Sequence, residues 1–184
     1  MDSPLFTPTG NTKAERYAHF LQLYAPFIEG ESDAVTAMAN TAAALREAFG
    51  FFWVGFYVVK PSTPSSSSAL TTDAARAAHL QLGPFQGPPA CSQIRYGRGV
   101  CGTAWQRQET LVVPDVSLFP GHIACSSLSR SEIVVPVKDT QGEVIAVLDI
   151  DSTELSGFDD NDRLGLERVI SLLAPSFGHN SQSQ

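Results

Sequence analysis

Apolar positions recur every three to four residues over the first quarter of the chain, then run together, then alternate, and each rhythm predicts a different element. Ala14, Tyr17, Ala18, Leu21 and Tyr24 share one helical face, with Pro26 expected to limit the run. Val35, Met38, Ala42, Leu45 and Phe49 form the stripe of a second helix, which Ser32 can cap and Gly50 can stop. The run FFWVGFYVVK is aromatic and β-branched at both parities, as expected of a strand covered on both faces. Gly55 in its middle marks a close approach.

From Leu80 to Ile94 the chain reads as a short strand, the loop GPFQGPPA and a second strand at CSQIRY. GRGVCGTAWQRQ predicts a loop feeding a short helix, and ETLVVPD a strand closed by a turn. VSLFPGHIACSSLSRS is irregular in pattern, and segments of this kind line sites rather than build cores. EIVVPVKDTQGEVIAVLDID alternates as a hairpin does, and FDDNDRLGLERVISLLAPSF is an amphipathic helix opened by acidic residues. This order predicts an α+β fold: a mostly antiparallel central sheet with the N- and C-terminal helices packed on one face.

With 184 residues, 43% of them hydrophobic, the chain is long enough for one domain with a sizeable core. That domain is expected over residues 13–178, between a flexible arm at 1–12 and a polar tail at 179–184, with a Ser/Pro-rich surface loop at 61–69. Twelve Lys plus Arg stand against 19 Asp plus Glu, a net charge of −7, which opposes binding to nucleic acid or an anionic membrane. No apolar stretch approaches the length of a membrane span, and the N-terminus has no signal-like apolar region, so a cytoplasmic protein is expected.

The hairpin gathers acidic groups. With a two-residue loop at Thr140–Gln141, Glu132 faces Asp149, and Asp151 projects from the same side while Leu148 and Ile150 take the other. Opposed like charges weaken a sheet by about 0.2–1 kcal/mol. A cation, a ligand ammonium or a shared proton would offset the repulsion, and a shared proton would make one carboxyl a general acid. Trp53 and Tyr57, four apart on a strand, point to one face and can wall a pocket or fill a core.

The chain has three cysteines, and an odd, sparse set does not make a static disulfide framework. Cys91 opens a predicted strand, Cys101 lies near a helix N-terminus, and Cys125 sits in the irregular segment. Cys91, Cys101, His122 and Cys125 lack the CxxC spacing of a zinc site, and no EF-hand loop is present, so no metal is assigned.

The segments GRGVCGTAWQRQETLVVPDV, FPGHIACSS with SEIVVPV, and GEVIAVLDIDS with FDDND, together with FFWVGFYVV and GPFQGPPACSQI, resemble the free methionine-(R)-sulfoxide reductase family. The likeness covers nearly everything between the first helix and the last. It implies a single GAF domain that reduces free L-methionine-(R)-sulfoxide without a bound cofactor, using thioredoxin as external reductant. It also implies that Trp53 and Tyr57 meet the substrate methyl end, and that Glu132, Asp149 and Asp151 bind its polar groups and sulfoxide oxygen. Homodimers are common in the family and are open for this chain.

On these motifs Cys125 is the expected nucleophile, because its loop runs directly into Glu132, and Asp149 is the expected acid. Cys91 is the first choice as resolving thiol and Cys101 the second. A helix N-terminus favours a low thiol pKa at Cys101, which leaves the reverse assignment open. Two departures from the family stand out: the longer serine-rich stretch after Lys60, and Ser126 where an acidic residue is common. The competing readings are a non-catalytic GAF module that binds a small ligand and a thiol redox sensor.

Overall fold

The computed structural model describes residues 4–61, 78–122 and 126–178. Cys125, most of the serine-rich loop and the polar tail lie outside the described residues. Helix α1 (Lys13–Ile28) begins at a capping box in which Thr12 and Glu15 satisfy each other's backbone donors. It continues past Pro26, contrary to the expectation. Proline costs one backbone hydrogen bond in the last turn, and the helix goes on to bury Ile28. Helix α2 (Ala34–Phe49) is capped by Asp33, not Ser32, and stops at Gly50, whose φ of 69° is left-handed.

Six strands follow: β1 (Trp53–Pro61), β2 (Ala78–Gln86), β3 (Gln93–Arg95), β4 (Leu111–Val113), β5 (Ser131–Lys138) and β6 (Val144–Ser152). They form one antiparallel sheet in the order β3-β2-β1-β6-β5-β4. The expected loop GPFQGPPA is a strand for its first half. Against β1, β2 carries one extra residue between Leu82 and Phe85, a bulge that houses Gly83 and Pro84. Cys91 therefore precedes the short β3 instead of opening it.

Helix α3 (Gly99–Arg107) joins β3 to β4, and α4 (Asp160–Leu173) ends the domain. Asp159 caps α4 through the backbone N–H groups of Asn161 and Asp162. Helices α1, α2 and α4 cover one sheet face, where Phe20, Tyr24, Leu45, Phe56, Leu148 and Ile150 make a hydrophobic core. The residues before α1 are anchored and not a loose arm over their whole length. Phe6 is buried with its ring 5.7 Å from that of Phe20, and its backbone N–H donates to Glu47. No helix among the described residues is long and apolar enough to cross a membrane.

Candidate active site

The opposite face carries the chemistry. Along β6 the pleat sends Leu148 and Ile150 into the helix-covered core and Asp149 and Asp151 to the other side. Glu132 does face one of them, but it pairs with Asp151, while Asp149 lies opposite Val134. The expected register was two residues out of step. The turn is longer than two residues: Asp139 accepts hydrogen bonds from the N–H groups of Gln141 and Glu143, Gly142 takes a φ of 87°, and β6 bulges at its start. A two-residue slip preserves the face of every side chain, so the three carboxyls still converge.

Helix α3 adds a thiol to them. Gly99 and Val100 bring Cys101 into its first turn, and Gly102 packs so closely on the carbonyl oxygen of Arg95 that a Cβ there would collide with it. Cys101 is 3% exposed and donates to Glu132 Oε1 over 3.8 Å. Sγ of Cys101 and carboxylate oxygens of Glu132 and Asp149 all lie within 4.8 Å of one another.

This burial sets the protonation of the group. Glu132 and Asp149, 6% and 7% exposed, are pushed well above the usual carboxyl range, first by loss of water and then by neighbouring carboxylates. Burial raises Asp151 to about 6, while a hydrogen bond from Ser129 works the other way. The Cys101 thiol is also raised, by burial and then by Asp149 and Glu132. Its place at a helix N-terminus does not make it the low-pKa thiol, because the acidic neighbours are its own. Asp149 Oδ1 is the one buried side-chain oxygen or nitrogen among the described residues without a hydrogen-bond partner.

An aromatic wall faces the carboxyls. Trp53 and Tyr57 are buried with ring centroids 6.1 Å apart, and Phe85 stacks on Trp53 at 5.5 Å. Trp53 Nε1 donates to the carbonyl of Pro88, and Tyr57 Oη donates to the carbonyl of Cys91 at 3.0 Å, so the wall also holds the segment that presents Cys91. Gly55 is the close approach its position suggested: a Cβ there would strike both the Trp53 ring and Phe85. Cys91 is disulfide-bonded, whereas Cys101 is a free thiol.

Wall and carboxyls line one cavity of about 30 Å³, together with Pro89, Ala90, Ile94 and Ser129. All five non-cysteine residues expected at the site line it, as does Cys101. Cys91 is joined to it through the Tyr57 hydrogen bond, and Cys125 lies outside the described residues. Sequence reasoning missed Ser129, and it considered His122 only as a zinc ligand. His122 Nε2 is 3.7 Å from Glu132 Oε2, and burial lowers its pKa. The one hint for both residues was their place in the irregular segment before β5.

A sheet with three helices on one face and a buried polar pocket under a short helix on the other is the GAF arrangement, and residues 33–176 match the GAF domain family. The protein is 49% identical over 162 residues to GAF domain-containing protein A of Dictyostelium discoideum, covering 88% of this chain and 92% of that one. It is 37% identical over 169 residues to the free methionine-R-sulfoxide reductase of Saccharomyces cerevisiae, covering 89% and 87%. The crystal structure of the Neisseria meningitidis free methionine-R-sulfoxide reductase in complex with its substrate superposes with a TM-score of 0.80 at 45% identity, covering 94% of this chain and 95% of that one. The chain belongs to the free methionine-R-sulfoxide reductase family of GAF-domain enzymes.

Proposed function

We propose that the protein reduces free L-methionine-(R)-sulfoxide to L-methionine. The observation that carries this reading is the orphaned Asp149 Oδ1, buried among carboxyls that hold their protons and set across a cavity from an aromatic wall. The chemistry of these groups is complementary to a small zwitterion. Its S-methyl end lies against Trp53 and Tyr57, its ammonium is met by the carboxyl cluster, and its sulfoxide oxygen accepts from protonated Asp149. A peptide-bound methionine lacks that ammonium and would have to bring its neighbouring backbone into the enclosure. The relatives' names and the substrate-bound Neisseria structure support the same substrate.

The Cys125 thiolate attacks the sulfoxide sulfur while Asp149 gives its proton to the sulfoxide oxygen. Collapse of the adduct releases methionine and leaves sulfenic acid on Cys125. The Cys91 thiol then attacks that sulfur, expels water and forms a disulfide, which an external dithiol, thioredoxin, reduces by exchange. Two thiols are oxidised as one sulfoxide is reduced. Two observations support this division of labour: Cys91 is disulfide-bonded, and the free Cys101 thiol is buried beside acids that disfavour its thiolate. The setting is the cytoplasm, where thioredoxin keeps thiols reduced.

A coupled thioredoxin, thioredoxin reductase and NADPH assay tests the reading. Oxidation of NADPH is expected with free methionine-(R)-sulfoxide and not with the (S) epimer or the N-acetylated (R) form. Absence of substrate-dependent oxidation would leave the ligand-binding or redox-sensing module as the better description. Dimedone trapping in single turnover separates the thiol roles, since sulfenic acid on Cys101 in Cys125→Ser, with methionine still formed, exchanges them.

A further inference from the structure

We propose that the reduced site binds one zinc-class divalent cation per chain, held by Cys101 Sγ, Glu132 and Asp149, and that this cation occupies the pocket to the exclusion of the sulfoxide. Three ligand-type atoms lie within 4.8 Å of one another, one each from α3, β5 and β6. A tetrahedral zinc site places sulfur and oxygen ligands about 3.5 Å apart, for Zn–S near 2.3 Å and Zn–O near 2.0 Å. Cys101 Sγ and Glu132 Oε1 already stand at 3.8 Å, so little rearrangement is needed. The helix turn and paired strands that carry the ligands hold that spacing.

The independent sign of a missing ligand is Asp149 Oδ1, buried in the same pocket and without a partner. A cation would satisfy it and would let Glu132 and Asp149 ionise side by side. The donor set selects the metal. One thiolate and two carboxylates suit zinc or cadmium, whereas magnesium and calcium demand six or more oxygens, which the cavity does not offer. His122, 3.7 Å from the other Glu132 oxygen, would orient that carboxylate from behind. Binding displaces to solvent the Cys101 proton and the protons held by Glu132 and Asp149, and moves no electrons. The metal site stands whether or not the reductase reading does; only the inhibition rests on it.

The test titrates protein reduced with a non-chelating phosphine. Cobalt(II) is expected to bind at one per chain with a thiolate-to-cobalt charge-transfer absorption, to be displaced by one equivalent of zinc, and to be unaffected by magnesium. Cys101→Ser should abolish the band with circular dichroism unchanged. Asp149→Asn should weaken zinc at least about tenfold. The double variant Cys91→Ser/Cys125→Ser should retain the band. In the wild type, zinc should slow alkylation of Cys101 mapped by mass spectrometry, a readout that needs no variant, and should raise the apparent KM for sulfoxide in the coupled assay. No cobalt band in the wild type, a band that survives Cys101→Ser, or one lost in the double variant overturns the site. A cobalt band without any effect on KM removes the inhibition and leaves the metal site.

Discussion

The two faces of the central sheet are built from the same strands and have opposite characters. Toward α1, α2 and α4, Phe56, Ile133, Leu148 and Ile150 bury nothing but carbon, and Phe20, Phe49 and Tyr24 add an aromatic cluster. Toward α3, the alternate residues of those strands bury Glu132, Asp149, Trp53 and Tyr57 beside Cys101. On one face the buried polar groups, such as the Tyr24 hydroxyl with Thr41 and Asp162 with Tyr17 and Lys13, are paired. The other breaks the rule against burying unpaired acids and therefore needs the first to hold the fold together. Stability and chemistry are segregated by strand parity, one residue apart.

The largest expected effect is on the polar face. Asp149→Asn should lower kcat/KM for the sulfoxide by about 10²–10⁴-fold, the usual worth of a positioned general acid, without loss of thermal stability. A substantial loss of stability would place Asp149 in the folding core after all. The mirror experiment is Phe20→Ala, which should cost about 3–5 kcal/mol in urea unfolding while leaving the rate per folded molecule unchanged. If turnover falls in proportion, the two faces are coupled and the separation fails.

Gly55→Ala tests how the wall is seated. The added methyl must displace Trp53 or Phe85, with an expected destabilisation of about 1–3 kcal/mol and a shift in tryptophan fluorescence that Phe20→Ala does not produce. The smallest effect concerns pH. Glu132, Asp149 and Asp151 hold their protons more tightly folded than unfolded, so above about pH 4 the native chain binds more protons. Stability should thus fall as pH rises through the folded-state values, including that of Asp151 at about 6. Glu132→Gln should flatten this slope and raise Tm at pH 7 by about 2–4 °C, or about 1 kcal/mol. A steeper slope would mean that Glu132 is ionised and paired in the native state.

Much of this division was legible in the chain. The alternation in VIAVLDID separates the apolar parity from the acidic one whatever the register, which is why a pairing two residues out of step still grouped the three carboxyls. The same alternation puts Trp53 and Tyr57 on one face, and Gly55 between them signals a close approach, which in the structure is made by the Trp53 ring. The turn was not legible, because Asp139 bonding back to Gln141 and Glu143 looks in sequence like any short polar connection. Nor was the length of β2, where Gly83 and Pro84 signal a loop and instead occupy a bulge.

Periodicity and residue type by themselves determined the α+β order, the apolar faces of the helices, and the convergence of acidic and aromatic groups on one side of a sheet. These follow from strand and helix geometry, which repeats every two or 3.6 residues wherever the chain goes. Only the tertiary structure decided which groups share a dielectric. Cys101 is 31 residues from its partner Glu132 in sequence and 3.8 Å away in space, and that burial turns a helix-terminal thiol expected to favour its thiolate into one that keeps its proton. The unmet Asp149 oxygen is likewise a property of the packed interior, since an unpaired polar atom has a cost only where water has been removed.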